Sequence, residues 1–311
     1  MDNKYESILA SKPFKFIVGP EKKRFIMHEA AITRLSKTLD KLLNGGMKES
    51  KEHCVCWEDI DEKTFLRFGE WAYTGDYKPE EPEILLDASQ IGLFEKATPS
   101  KPEPVVNCLA TFNSIAAPPF FHCGQNVTST VSANCTTCRS SFTTYRCRPS
   151  YCNTYQFYAC QKCRGGSMQK RQTMIEKFNN SSEYAPPTAL FTPRKNMESC
   201  EDYSGVFLSH ARLYVLADKY DIKELRDLCA HKIWVTLKEF TLYQERMGDI
   251  IGLVRYSFQN TLEKDKLRTL LKDFCACTVE DLCKGEGFQD LICETPEFAC
   301  ELIKEMSTRL N

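Results

Sequence analysis

Two short apolar runs near the N-terminus have the alternation that predicts a β-hairpin. The first run is Phe14–Val18 and the second is Arg24–Met27. Gly19, Pro20 and three charged residues lie between them, which is typical of a turn. A third short strand is predicted over residues 53–57.

Helical spacing follows the hairpin. Residues 29–43 are helical in pattern, with a first helix expected around residues 30–35. Ser36 is the candidate N-cap of the helix that follows, in which Leu39 shares a face with Leu42 and Leu43. Another helix is predicted after Asp61, its candidate N-cap. The apolar stripe of that helix consists of Phe65, Phe68, Trp71 and Ala72.

The helical spacing is lost at about residue 97 and returns at Val206. Residues 97–205 are rich in Pro, Ser, Thr and Asn, which is typical of a long insertion. Two helices are predicted after it, the second with Asp221 and Glu224 as a capping-box-like start. Apolar stripes then predict a helical C-terminal region, with segments at 250–258, 267–274, 288–292 and 298–306.

Several short motifs accompany the N-terminal elements in a fixed order. They are Phe16-Ile17-Val18-Gly19, Met27-His28, Ser36 with Leu39, Gly46-Met47-Lys48-Glu49-Ser50, Asp61 with Thr64-Phe65, and Tyr73-Thr74-Gly75. Together they resemble the BTB/POZ domain, and residues 71–77 are similar to an ending used by fungal BTB proteins. The resemblance implies an α+β fold with a small sheet and a helical cluster. It also implies a protein-interaction domain, usually a homodimer, without enzymatic chemistry.

The same resemblance implies that the domain is split, because residues 213–225 look like the closing helical pair of a BTB domain. The C-terminal region is similar to the helical extension that follows many BTB domains. We therefore expect four parts: the first BTB part over 1–96, a Cys-rich insertion over 97–205, the closing helices over 206–235, and the extension over 236–311.

Composition does not favour nucleic acid or a membrane as a partner. The chain has 311 residues and a net charge of −1, so bulk charge selects neither nucleic acid nor a membrane surface. It contains no run of about eighteen apolar residues, so we expect no membrane span. We expect the nucleus or cytoplasm, where clustered cysteines favour metal over disulfides.

The 17 cysteines of the chain include two C-x2-C pairs within the predicted insertion. These pairs, Cys135 with Cys138 and Cys160 with Cys163, are the candidate metal ligands. Each pair presents two thiolates on one side of a tight turn, and two pairs complete the tetrahedral sulfur shell that suits Zn²⁺. Four protein ligands make the zinc structural, so the sequence predicts a zinc-ribbon-like lobe stabilised by metal binding.

Other ligand sets stay open. The spacer between the pairs is slightly longer than the usual roughly 15–20 residues, and we expect segments 142–145 and 155–158 to form a hairpin within it. Additional candidate ligands are His122, Cys123, Cys147 and Cys152. Metal-free thiols are the further alternative. The remaining cysteines, including the C-x-C pairs Cys54/Cys56 and Cys275/Cys277 and the single Cys283, Cys293 and Cys300, are predicted to pack in the core.

Two features bear on macromolecular partners. Met47 and Glu49 match the hydrophobic-x-acid pattern of BTB domains that bind cullins. The alternative, which we slightly favour, is a Met47 that covers the core at a helix end. The insertion has no Asp or Glu between Pro104 and Ile175, so its basic residues are a candidate nucleic-acid contact. A solvated loop, partly neutralised by the zinc thiolates, is the interpretation we favour.

We therefore expect a protein-interaction scaffold, not an enzyme, that homodimerises through the regions Phe14–Val18 and Ala30–Leu35. Its more specific hypothetical role is that of a substrate adaptor for a cullin-type ubiquitin ligase. The alternative is a nuclear transcription or chromatin regulator whose basic zinc lobe contacts nucleic acid.

Overall fold

The N-terminal part of the chain combines a small sheet with short helices. The computed structural model describes residues 4–85, 129–134, 141–146, 161–184 and 191–310. The first elements are α1 (Lys4–Leu9), β1 (Pro13–Val18), β2 (Lys23–His28), α2 (Glu29–Thr33), α3 (Lys37–Asn44), α4 (Lys48–Glu52), β3 (Cys54–Trp57) and α5 (Glu62–Thr74).

Strand β1 is the middle strand of this sheet. It pairs antiparallel with β2 and parallel with β3, and Phe16 lies opposite both Phe25 and Val55. Because successive side chains of a strand point to opposite faces, one face of the sheet is buried. The inward side chains of β1 and β3 are Phe14, Phe16, Val18, Val55 and Trp57.

Two predicted helix starts are confirmed. The Ser36 hydroxyl accepts a hydrogen bond from the Leu39 N–H at 3.1 Å, and the Asp61 carboxylate accepts one from the Thr64 N–H at 2.9 Å. Ser36 has an extended backbone, with φ −159° and ψ 156°. The predicted N-cap at Ser36 therefore marks the start of α3 and separates it from α2.

The rest of the described chain is mainly helical. Its elements are β4 (Glu83–Ile84), β5 (Ser129–Asn134), β6 (Ser141–Arg146), α6 (Gln161–Asn179), β7 (Glu201–Asp202), α7 (Ser204–Lys219), α8 (Lys223–Glu239), α9 (Met247–Asn260), α10 (Lys266–Leu282), α11 (Phe288–Glu294) and α12 (Pro296–Leu310). Strands β5 and β6 form an antiparallel pair, and so do β4 and β7. The predicted capping box at Asp221 does not form, because Ile222 occupies the N-cap of α8 and Asp221 has φ 53°. The whole is an α+β fold in which helices predominate.

Helix α7 joins the N-terminal elements to the C-terminal helices. It packs against α5, α8 and α9. At its C-terminal end the Tyr220 ring stacks on Trp57 with centroids 4.6 Å apart, and the Ser36 hydroxyl donates to the Tyr220 carbonyl at 2.6 Å. The residues near the N-terminus and those after Val206 therefore share one continuous core.

Part of the segment predicted as an insertion also contacts this core. Ile175 and Phe178 on α6 are buried, and the Trp234 indole N–H donates to the Phe178 carbonyl at 2.9 Å. Further along, the Asn196 side chain exchanges two hydrogen bonds with the backbone of Thr241, at 2.7 and 2.6 Å. Residues 171–184 and 191–203 thus pack with the helices that follow them. In the described part of the chain, no helix has the length and apolar character that a membrane span requires.

Candidate functional site

The loop before α4 is shaped by two glycines. The Gly45 N–H donates to the Lys41 carbonyl at 2.8 Å and ends α3, and a Cβ at Gly45 would clash with that same carbonyl oxygen. Gly46 has φ +75°, in the left-handed region that favours glycine. The two glycines therefore turn the chain sharply, and Met47 follows directly at the N-cap position of α4.

Met47 projects from this turn into solvent. Its side chain is 64% exposed, whereas the neighbouring Leu43 is buried. Glu49 lies in the first turn of α4 and is half-buried. Met47 therefore does not cover the core, so the alternative that made it a packing residue fails. The loop offers an apolar side chain next to a carboxylate.

The apolar residues predicted to mediate self-association are largely buried in the structure. Phe14, Phe16 and Val18 face the core, and so do Ala31 and Ile32 on α2. These five residues are not available to a second copy without unfolding.

Helix α1 offers apolar surface beside α2. Its Ile8 is buried, and the Ser11 hydroxyl that follows accepts a hydrogen bond from the Ala30 N–H at 3.1 Å. Tyr5 and Leu9 on the same helix are more than half exposed. The exposed apolar side chains in this region are therefore Tyr5 and Leu9 on α1, together with Ile26 on β2.

A buried polar cluster links the end of α5 to α7 and α8. The Tyr77 hydroxyl lies 2.7 Å from His210 Nδ1 and 3.4 Å from Cys229 Sγ. Burial raises the pKa of the Tyr77 hydroxyl well above its usual value and holds the His210 pKa well below its own. Burial also raises the pKa of the Cys229 thiol to about 12. All three groups are thus neutral near pH 7, and Cys229 lacks the thiolate character of a nucleophile.

Lys232 completes this cluster as a buried ammonium. Its Nζ donates to the Asp76 carboxylate at 2.5 Å and to the Tyr77 carbonyl at 2.6 Å. It also lies 4.0 Å from the centre of the Tyr77 ring and 4.8 Å from that of Phe191. Cation–π attraction and the carboxylate together compensate the buried charge. We interpret the cluster as a structural joint between the two halves of the core.

The sequence did not single out this joint, because its members are far apart along the chain. Tyr77 and Lys232, for example, are separated by 155 positions. The only local signal is the turn at Gly75, which has φ +86° and directs Asp76 and Tyr77 away from α5.

The predicted zinc ligands fall largely outside the described residues. Outside them are Cys135, Cys138 and Cys160. Cys163 is described only as part of the α6 backbone. Strand β6 pairs with β5, so Cys135 and Cys138 fall in the connection between two paired strands. The predicted hairpin partner, 155–158, lies outside the description. Within the described part, no group of three or more His, Cys, Asp or Glu residues is arranged for a metal.

One basic residue of the predicted lobe is occupied within the chain. The Arg171 guanidinium pairs with the Asp281 carboxylate at 2.9 Å and donates to the Cys277 carbonyl at 3.0 Å. It therefore anchors α6 to α10, which removes it from the residues suited to a nucleic-acid contact.

Several cysteine predictions need correction. Cys275, Cys277 and Cys229 are buried as expected. Cys56, Cys283, Cys293 and Cys300 are exposed, and Cys54 is only partly buried, so their assignment to the core is wrong. A cysteine side chain is small and only weakly polar, so it is found both in apolar cores and at the surface. The spacing of the cysteines therefore does not predict which of them are buried.

Comparison with known proteins gives a partial similarity. No protein-family profile matches the chain. A stretch of 109 residues is 27% identical to a putative BTB/POZ domain-containing protein of Arabidopsis thaliana, covering 35% of this chain and 47% of that protein. The chain thus spans about half the length of the curated relative it matches. The similarity points to a BTB/POZ relationship for that part of the chain.

Proposed function

We propose that this chain is a protein-interaction scaffold with a BTB/POZ-type N-terminal module. The observation that carries the proposal is the exposed Met47 on a loop fixed by two glycines, in a chain whose strand and helix order resembles that module. Helices α7 and α8 take the place of the closing pair. The partial similarity to a BTB/POZ protein of Arabidopsis thaliana supports the same assignment.

The more specific proposal is that Met47 and Glu49 contact a cullin, as in substrate adaptors of cullin-type ubiquitin ligases. Full burial of a Met side chain contributes about 1.5–3 kcal/mol. Since about 1.4 kcal/mol is a tenfold change in affinity, Met47 alone carries a tenfold or larger effect. Glu49 at the rim adds less, because its charge stays hydrated.

Titration of the full chain with purified cullin N-terminal domains tests this proposal. We expect Met47→Glu to weaken binding at least about tenfold, since the new carboxylate would have to enter an apolar pocket. Met197→Glu is the matched control, because Met197 is also a mostly exposed methionine but lies on the segment 191–203. Equal affinities for the two variants, or no binding by the wild type, would reject the cullin assignment.

We further propose that the chain self-associates through the exposed face of α1. Leu9→Glu should then weaken the dimer, because it places a charge in the interface. Ile303→Glu on α12 is the control, since Ile303 and Leu9 are almost equally exposed, at 67% and 66%. A loss of dimer in both variants, or in neither, would argue against this surface.

We also propose a structural zinc site formed by Cys135, Cys138, Cys160 and Cys163. Elemental analysis of the purified chain should give one zinc per chain. Cys160→Ser should release it, since three thiolates no longer close the shell. Cys147→Ser is the control, because Cys147 lies in the spacer between the two pairs. Zinc that persists in Cys160→Ser but leaves in Cys147→Ser would overturn this choice of ligands.

A further inference from the structure

Two cysteines of β3 lie on the outer face of the sheet. Cys54 and Cys56 alternate with Val55 and Trp57, which point into the core. Both thiols are free; Cys56 is exposed and Cys54 partly so. Since a strand rises about 3.3 Å per residue, the two Cα atoms lie about 6.6 Å apart with their side chains on one face.

The pairing of β3 with β1 holds this arrangement in place. Cys54 lies opposite Lys15 and Cys56 lies opposite Ile17. The Lys15 N–H donates to the His53 carbonyl at 3.0 Å, which anchors the start of β3. The two sulfurs therefore approach each other by side-chain rotation alone, without movement of the backbone.

Two cations lie on outward positions of the neighbouring strands. Lys15 and Arg24 are exposed on the outward positions of β1 and β2. Two thiolates around a monovalent cation leave a net charge of −1. The neighbouring cations compensate that charge, so the face suits a bis-thiolate complex better than a neutral or acidic face would.

We infer that Cys54 and Cys56 form a two-thiolate site for a soft monovalent cation such as Cu(I). Soft thiolate ligands select such ions. Two metal–sulfur bonds of about 2.3 Å each span about 4.6 Å, which rotation of the two side chains can reach. Binding forms two S–Cu bonds, breaks two S–H bonds and releases both protons to the buffer. The site lies outside the predicted zinc lobe and does not depend on it.

The chain contains an internal control with the same spacing. Cys275 and Cys277 also form a C-x-C pair, but they are buried on α10. Residues two positions apart on a helix do not share a face. This second pair therefore should not chelate, although its sequence spacing is identical.

Reaction of the native, reduced chain with phenylarsine oxide tests the geometry. This reagent bridges two nearby thiols and loses one water. Trypsin releases Cys54 and Cys56 together in the peptide 52–63, and Cys275 and Cys277 in the peptide 273–284. We expect an arsenic bridge in the first peptide and none in the second. Absence of the bridge from 52–63 would overturn the inference.

Competition of the full chain with bathocuproine disulfonate for Cu(I) tests the ligand. The variant C54S/C56S should bind one Cu(I) per chain fewer than the wild type, and C283S/C293S should match the wild type. Equal copper content of the wild type and C54S/C56S would also overturn the inference.

Discussion

At the residue scale, one buried carboxylate makes stability depend on pH. Asp249 accepts hydrogen bonds from the Tyr203 N–H at 2.8 Å and the Ser204 hydroxyl at 3.1 Å, at the start of α7. Burial nevertheless raises its pKa from 3.8 to about 6. The folded chain thus holds this proton to a higher pH than the unfolded chain, so Asp249 lowers the free energy of unfolding as pH rises through that interval.

We therefore expect Asp249→Asn to remove this decrease in the free energy of unfolding with rising pH. The amide still has an oxygen that accepts hydrogen bonds, but it does not titrate. The free energy of unfolding of the wild type, relative to the variant, should fall by about 1 kcal/mol between pH 5 and pH 7. Urea unfolding at both pH values measures it. A constant difference between the two proteins would show that Asp249 does not titrate in this range.

The buried ammonium of Lys232 gives a second prediction at this scale. Lys232→Met leaves the Tyr77 carbonyl without its donor, while Asp76, about half exposed, keeps contact with water. We expect a loss of about 2 kcal/mol in the free energy of unfolding. Lys219→Met is the control, because the Lys219–Asp59 pair is mostly exposed and should contribute less than about 1 kcal/mol. Equal losses in the two variants would contradict our interpretation of the joint.

At the element scale, the Ser36 side chain forms hydrogen bonds with two helices. It caps α3 through the Leu39 N–H and holds the end of α7 through the Tyr220 carbonyl. Ser36→Ala should cost about 1–2 kcal/mol in the free energy of unfolding, since it removes an N-cap and a second hydrogen bond together. Ser50→Ala on exposed α4 should cost almost nothing. Thermal or urea unfolding that ranks the two variants equally would count against this role.

The elements that could be predicted from the sequence are those set by neighbouring residues. Hairpin β1–β2 and the caps at Ser36 and Asp61 depend on neighbouring residues, and these predictions are confirmed. The division between α2 and α3 follows from the same local signal, because Ser36 is an N-cap with an extended backbone. The outward position of Cys54 and Cys56, by contrast, was missed. All four residues of β3 are apolar or weakly polar, so alternation does not tell the two faces apart.

At the scale of the whole molecule, the core includes residues that the composition assigns to the insertion. The His231 imidazole contacts the Tyr184 carbonyl at 2.6 Å, and Trp234 contacts Phe178 as described above. This packing is hard to predict from the sequence because, within the described segments 170–184 and 191–203, only a few apolar residues face the core, among many polar ones. The Met47 loop was only partly predictable from local sequence. Two glycines and one apolar residue define the loop, but they do not tell an exposed Met47 from one that covers the core, which was the interpretation the sequence slightly favoured.

Two deletions test how far the folded body extends. Removal of about residues 90–165 should leave a cooperative unfolding transition, because it spares α6 from residue 170 onward and the segment 191–203. Removal of about residues 90–200 should lower stability strongly, since it takes away Ile175, Phe178 and Tyr184 together. Equal melting temperatures of the two deletion proteins would place 170–203 outside the core.

We propose a BTB/POZ-type scaffold that acts as a dimer. The chain has a mass of 35.7 kDa. Size-exclusion chromatography with light scattering at micromolar concentration measures the state directly. We expect twice the chain mass for the wild type and for Ile303→Glu, and the chain mass for Leu9→Glu. A mass of 35.7 kDa for the wild type at every concentration would contradict dimerisation.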